Sequence, residues 1–322
     1  MNKLSYVCTI GPSMADMKVL EKLYDLGMST IRFNMSYKHP KMNNLLELAK
    51  DLKSKHPDLE LMFDSAGPEI RLVMDNPVEF KEGNILISGI HFDVTLNNLH
   101  VLEIGDLIYI KDGDFVFEII NNENGRIYCK ALNDGVINNN NKIYNEKMYN
   151  HLPFMSYYDE QTIESAVLNN IDSFAISFVR NSDNIKEVKE TFKKYGREKI
   201  KIISKIENAD AIENLEEIIL NSDEIMVARG DLSTLLPRTK IGYYQKYICD
   251  MCHKLNKPVM VATGVLASLE CEEEPKISEI LDLYNIVLDG AEKVVFTSET
   301  SVSIDPINVL SDANDIFGTI NL

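Results

Sequence analysis

No window of this sequence approaches the roughly 20 consecutive apolar residues that a membrane-spanning helix requires. The first residues, Met1-Asn2-Lys3-Leu4-Ser5, run directly into a β-like stretch and carry no secretory h-region or cleavage site. Cysteine is sparse and odd in number: Cys8, Cys129, Cys249, Cys252 and Cys271 do not make a disulfide framework. These absences lead us to expect a soluble, cytoplasmic protein. Positive charge is also short, with 33 Lys+Arg against 50 Asp+Glu and a net charge of −17. Nucleic acid as a partner wants a basic footprint, and a membrane surface is itself anionic, so both are disfavoured. An anionic substrate would have to be drawn by a few local cations or by bound metal ions. What the chain does have is enough apolar material for an ordinary core, 45% of 322 residues, in one large domain or two moderate ones.

The dominant pattern is a short apolar run followed by a helical stretch. The runs are Leu4–Ile10, Thr30–Phe33, Glu60–Phe63, Ser173–Phe178, Lys201–Ile206, Glu224–Ala228, Pro258–Ala262 and Lys293–Phe296. Each is rich in Val, Ile, Met or Phe and short enough for a strand buried on both faces. The intervening segments Asp16–Leu26, Met42–Leu52, Asp159–Leu168, Asn184–Tyr195, Asp210–Leu220, Thr239–Leu255, Ser278–Leu288 and Ile307–Phe317 carry apolar residues at helical spacing. Eight such alternations predict an α/β protein built as a parallel (β/α)8 TIM barrel.

One interval breaks the rhythm. Residues 72–150 hold no long helical pattern but several short strand-like runs, Asn84–Ile87, Leu107–Ile110, Val116–Ile120 and Ile127–Ala131. Lys111-Asp112-Gly113 and Asn124-Gly125 are hairpin turn signals between them. The expected organisation is therefore a barrel from 1–71 and 151–322, with a small β-barrel lid domain, 72–150, inserted after strand 3.

Barrel chemistry sits at the C-terminal ends of strands. Those ends read Arg32-Phe33-Asn34-Met35-Ser36, Asp64-Ser65-Ala66-Gly67-Pro68-Glu69-Ile70-Arg71, Lys205-Ile206-Glu207-Asn208, Ala228-Arg229-Gly230-Asp231, Thr263-Gly264 and Thr297-Ser298-Glu299-Thr300. Two carboxylates on adjacent strands, Glu207 and Asp231, match a divalent ion that keeps water positions for substrate oxygens, the habit of Mg2+. A lysine beside such an ion suits stabilisation of negative charge developing on oxygen. The composition of the mouth points to a metal-assisted reaction on a small phosphate or carboxylate.

These stretches, together with Thr9-Ile10-Gly11-Pro12-Ser13, Ile31–Ser36, Ile203–Asn208, Ile225–Leu232, Lys257-Pro258-Val259 through Thr263, and Val287-Leu288-Asp289-Gly290-Ala291, closely resemble pyruvate kinase. The matches run in order across nearly the whole chain, and the β insertion falls where that family carries its lid. The resemblance implies transfer of a phosphoryl group between phosphoenolpyruvate and ADP, with pyruvate and ATP as products and with Mg2+ (or Mn2+) and K+ as cofactors. It implies Glu207 and Asp231 as divalent-metal ligands, and Lys205 as the group neutralising the phosphoryl and enolate oxygens. Arg32 would bridge phosphates. Asn34, Ser36, Asp64 and Ser65 would cage K+, and Glu69 resembles the acidic residue of K+-dependent members. Thr263 would sit near the enolate carbon, with Thr297 and Glu299 in a proton-relay region. Arg71 and Gly230 complete the substrate-binding set, with Lys142 as a weak lid contact.

The departures from the family pattern lie at Ala66, Tyr37, Ser233-Thr234-Leu235, Gly264-Val265, Ile277 and Thr297. They keep two alternatives open: a barrel enzyme acting on another enolizable 2-oxo acid (a lyase, decarboxylase or non-standard kinase), and a non-catalytic paralogue that binds a metabolite. The family's C-terminal regulatory domain is not seen after the eighth helical segment, so its allosteric control is not expected, while a homodimer through the barrel stays open. Simpler structural roles also remain: an Arg32–Asp64 pair, a Lys205–Glu207 ion pair, Asp231 as a helix cap and polar strand ends that merely close turns. Cys249-Asp250-Met251-Cys252-His253 has the look of a metal motif but lacks a second cysteine pair, and reads as helix core.

Overall fold

The computed structural model describes residues 4–36, 40–96, 98–111 and 113–320. Met1–Lys3, the Tyr37 departure and Asp112 of the 111–113 turn lie outside the described residues. Eight parallel strands close into a barrel: β1 Ser5–Thr9, β2 Met28–Asn34, β3 Glu60–Asp64, β4 Ser173–Ile176, β5 Lys201–Ile206, β6 Glu224–Ala228, β7 Val259–Ala262 and β8 Lys293–Phe296. Each is hydrogen-bonded to its sequence neighbours, and β8 pairs with β1 in the register Ser5↔Lys293 to Cys8↔Phe296. The helices that follow are α1 Met17–Asp25, α2 Met42–Lys55, α3 Tyr157–Leu168, α4 Ser182–Lys194, α5 Leu215–Asn221, α6 Ile241–Lys254, α7 Ile277–Leu288 and α8 Pro306–Gly318.

Side chains alternate along a strand, so residues two apart share a face. Six barrel strands use this in one way, reading from bottom to top: Ser5-Val7-Thr9, Glu60-Met62-Asp64, Ser173-Ala175-Ser177, Lys201-Ile203-Lys205, Glu224-Met226-Ala228 and Lys293-Val295-Thr297. The middle members pack with Met260 and Ala262 of β7 as one buried cluster. Above that apolar plug lies the polar mouth. Below it, charges alternate around a ring: Lys201 Nζ is 3.1 Å from Glu60 and 2.7 Å from Glu224, and Lys293 Nζ is 2.9 Å from Glu224 and 3.8 Å from Glu60. The barrel is thus closed from beneath by ion pairs.

Two expected elements differ. The run Ser173–Phe178 leaves the strand after Ile176, because Phe178 turns to φ +54. The stretch Asp210–Leu220 breaks at Asn214 into Ala209–Glu213 and α5, since the Asn214 amide donates to the Arg180 carbonyl at 2.9 Å.

The chain divides into two compact units: residues 1–67, 157–232 and 239–322 form the barrel, and 68–156 with 233–238 form the second. In the second unit, Ile143–Tyr144, Leu107–Ile110, Phe115–Glu123, Arg126–Ala131 and Ile85–Ile87 make a five-stranded antiparallel sheet, in that spatial order, accompanied by two two-stranded ladders. Asn124 and Gly125 both take positive φ, +53 and +94, the requirement of a tight hairpin turn. Residues Ile70 and Arg71 pair with this unit, through Ile143 N–H to Ile70 O and an Arg71↔Lys142 bridge.

Candidate active site

The barrel mouth is organised around Asp64 and Lys205, which end β3 and β5 on the interior face. Asp64 is 1% exposed and takes a cation on each oxygen: Arg32 Nε donates to Oδ2 at 2.7 Å, and Lys205 Nζ lies 3.1 Å from Oδ1. Burial works against the Asp64 charge, but Lys205 and Arg32 outweigh it and hold the carboxyl below its usual range. The Arg32–Asp64 pair therefore forms. Arg32 Nη1 also donates to Thr9 Oγ1 at 2.7 Å, and Thr9 is braced on the Phe296 carbonyl. Among the described residues the Nη2 edge of Arg32 has no partner.

Lys205 Nζ donates to Ser177 Oγ at 2.8 Å and pairs with Glu207 Oε1 at 2.9 Å. It is buried, yet Asp64, Glu207 and Asp231 raise its pKa well above the ordinary lysine value against the cost of burial. It is a fixed cation. Glu207 is fully buried and is gripped through Oε2 by the Phe178 N–H at 2.5 Å. Its other oxygen, Oε1, sits at ion-pair distance from Lys205 but receives no hydrogen bond. Burial, with the nearby Asp231 carboxylate, drives the Glu207 pKa up, while Lys205 pulls the other way.

A buried carboxylate oxygen that meets one ammonium outside hydrogen-bond geometry, near a second carboxylate, is an arrangement a divalent cation would complete. Asp231 supplies that second charge from the first turn of the helix Arg229–Leu235, which begins directly where β6 ends. Its field is felt by both Lys205 and Glu207. Among the described residues no three His, Cys, Asp or Glu side chains group as a metal cluster. Two carboxylates leave the remaining positions of an ion to water or substrate, as Mg2+ and Mn2+ chemistry requires.

The other candidates are distributed unevenly. Asn34 and Ser36 bond to each other, Ser36 Oγ donating to Asn34 Oδ1 at 2.7 Å, while Ser65 Oγ accepts from the Ser177 N–H at 2.9 Å. The two pairs end the adjoining strands β2 and β3, where Asn34 is in register with Asp64. Thr263 follows β7, exposed, with no hydroxyl partner among the described residues; its φ of +79 costs roughly 1–3 kcal/mol for a β-branched residue. Gly230 lies against it: a Cβ there would meet Thr263 Cγ2 at 3.1 Å, so glycine lets the threonine rest on the start of the Arg229–Leu235 helix. Glu299 folds back on Thr297, accepting from its N–H at 2.6 Å and its hydroxyl at 2.9 Å, and burial raises its pKa. Arg71, Glu69 and Lys142 belong to the second unit, where Glu69 takes Arg71 and Lys142, each at 2.5 Å. Cys249 and Cys252 are buried, free thiols inside α6.

Sequence reasoning misses Ser177, Phe178 and Thr9, which hold Lys205, Glu207 and Arg32 in place. Ser177 had a signal: it continues the interior parity of Ser173 and Ala175 one step past the strand. Phe178 had none, because nothing in a phenylalanine announces a left-handed backbone.

Comparison with known proteins places the chain clearly. Residues 1–310 match the family model described as pyruvate kinase, barrel domain. Among curated relatives, the pyruvate kinase of Thermotoga maritima is 32% identical over 96% of this chain and 69% of its own length. That of Thermoplasma acidophilum is 30% identical over 98% of this chain and 57% of its own length, and that of Staphylococcus aureus strain MRSA252 is 30% identical over 98% and 56%. The chain thus spans between about half and two thirds of the length of these relatives.

Proposed function

The chain belongs to the pyruvate kinase family, and on that premise we propose that it moves a phosphoryl group between phosphoenolpyruvate and a nucleoside diphosphate, using Mg2+ (or Mn2+) and K+. The observation that carries this reading is Glu207, a fully buried carboxylate whose Oε1 meets only the fixed cation Lys205 among the described residues, with the Asp231 charge close by. Glu207 and Asp231 would hold the divalent ion; Asn34, Ser36, Asp64 and Ser65 would hold the monovalent one. Bound there, the divalent ion would supply concentrated positive charge to offset the charge that develops during phosphoryl transfer, and the monovalent ion a weaker one.

The chain's own residues do the rest by position. Lys205 keeps its proton throughout, so it offers charge to the oxygen left when the phosphoryl group departs and does not act as an acid. Its three partners, Ser177, Asp64 and Glu207, fix the ammonium before substrate arrives, which spares reorganisation during the reaction. Arg32 is anchored by Nε and Nη1 and presents its remaining edge to a phosphate. The backbone N–H groups at Gly230 and Asp231, in the first turn of the 229–235 helix, suit a substrate carboxylate. Thr263 stands over that turn with its hydroxyl available to the enolate carbon's proton exchange, and Thr297 with Glu299 supplies the adjoining polar path.

Two settings go with this reading. Five unpaired thiols favour a reducing, cytoplasmic compartment. Among the described residues, no helix is long and apolar enough to cross a membrane. A homodimer through the barrel is supported by α7, whose Ile277, Leu281 and Leu288 are 78%, 58% and 50% exposed on one helical face. The test of the site is calorimetry with oxalate, a mimic of the pyruvate enolate. Binding that needs Mg2+ and is lost in Glu207→Gln is the expected result; binding indifferent to both would overturn the assignment.

A further inference from the structure

We propose that Arg229, which the reading above leaves without a role, is the positioning residue that holds Thr263 in its left-handed conformation, acting through Asp282 of α7. The proposal rests on Thr263 being a residue of the site. Three of the four residues that follow β7 have positive φ: Thr263 at +79, Gly264 at +71 and Leu266 at +56. Threonine and leucine stay in that region only where the surroundings over-determine it.

Arg229 supplies the restraint. Its Nε and Nη2 both donate to the Thr263 carbonyl, at 3.0 and 2.7 Å, so a rigid fork closes on one oxygen and fixes the peptide plane. The far edge of the guanidinium is clamped in turn. Nη1 and Nη2 donate to Asp282 Oδ1 and Oδ2, each at 2.8 Å, and Nη1 also donates to Gln245 Oε1 at 3.1 Å. Gln245 is 5% exposed and is itself tied to Asp289 Oδ2 at 2.7 Å. The guanidinium cannot swing away without breaking the bonds to α6 and α7. The next residue, Gly230, gives Thr263 its side-chain seat. One dipeptide therefore sets both halves of the threonine, Arg229 its main chain and Gly230 its side chain. A lysine could not substitute, because one ammonium cannot grip the carbonyl and the Asp282 carboxylate in the same plane.

The test joins a structural and a kinetic readout. In protein labelled at threonine methyl groups, the Thr263 resonance is identified by its loss in Thr263→Ser. Arg229→Met and Arg229→Lys should both shift or split that resonance in folded protein. Both should lower kcat for pyruvate release about 100-fold with little change in the KM for phosphoenolpyruvate, the scale of a small misplacement at a reacting group. Asp282→Asn should move both in the same direction by less, and it carries the methyl test should Arg229→Met not fold. An unmoved Thr263 resonance in a folded variant would overturn the proposal, and so would a moved resonance with kcat intact. A wild-type protein without phosphoryl-transfer activity would sink the functional reading alone, since the methyl measurement needs no turnover.

Discussion

The Ser177 hydroxyl accepts a hydrogen bond from the Lys205 ammonium at 2.8 Å and donates one to the Ser65 carbonyl at 2.7 Å. Ser177 thus ties the lysine of β5 to the end of β3, and the ammonium is held by one neutral oxygen and two carboxylates. Ser177→Ala should lower kcat roughly 10- to 100-fold by loosening Lys205, and should cost about 1–3 kcal/mol of stability from the unmade bonds. Steady-state kinetics and a denaturant titration on the same preparation check both figures.

Glu207 trades stability for function. Its carboxylate is buried beside another acid and its pKa is raised although Lys205 pulls it down, so its charge is only partly compensated until a second cation arrives. Glu207→Gln should therefore leave the metal-free protein as stable as wild type or up to about 2 kcal/mol more stable, while abolishing turnover. Excess Mg2+ should stabilise wild type, by about 2.7 kcal/mol at a hundredfold its dissociation constant, and leave Glu207→Gln unmoved. Thermal melts with and without Mg2+ read both.

The charge ring beneath the barrel predicts a stability plateau with two edges. Burial opposes ionisation of Glu60, but Lys201 and Lys293 outweigh it and depress its pKa, so its contribution is present above the usual carboxylate range and is lost as pH falls through the depressed value. Burial likewise opposes the charge of Lys201, but Glu224 and Glu60 raise its pKa, so its contribution is full below 10.5 and is lost as pH rises through the raised value. Glu60→Gln should destabilise the protein by about 1–3 kcal/mol at neutral pH and shrink the acid edge. Chemical denaturation across pH measures it, and a flat profile unchanged by the substitution would contradict the ring's role.

Much of this architecture was legible. Eight apolar runs mark eight strands because a parallel barrel buries both faces, and Lys201–Ile206, Glu224–Ala228 and Lys293–Phe296 coincide with the observed strands. The strands Leu72–Val73, Asp93–Val94 and Ile143–Tyr144 were not legible, since two residues carry no periodicity. Lys205 and Glu207 announced themselves by parity at a strand end. Phe178 did not, because it reaches Glu207 with a main-chain N–H, and neither did the helix break at Asn214, whose amide bonds the Arg180 carbonyl. Both are tertiary bonds that local sequence does not encode.

The exposed face of α7 gives a prediction independent of catalysis. Ile277, Leu281 and Leu288 repeat at helical spacing on a chain that is otherwise strongly acidic. Sedimentation should show a dimer at micromolar concentration, and Leu281→Glu should shift it to monomer without unfolding it. A wild-type monomer at high concentration would refute the pairing.

The most direct test of the whole account is pyruvate release from phosphoenolpyruvate, followed with and without ADP, Mg2+ and K+. Release that requires ADP and Mg2+, is enhanced by K+, and falls by at least about 100-fold in Lys205→Met is the predicted result. A folded wild-type protein that is silent under every combination of metal and nucleotide, or a Lys205→Met variant as fast as wild type, would contradict it.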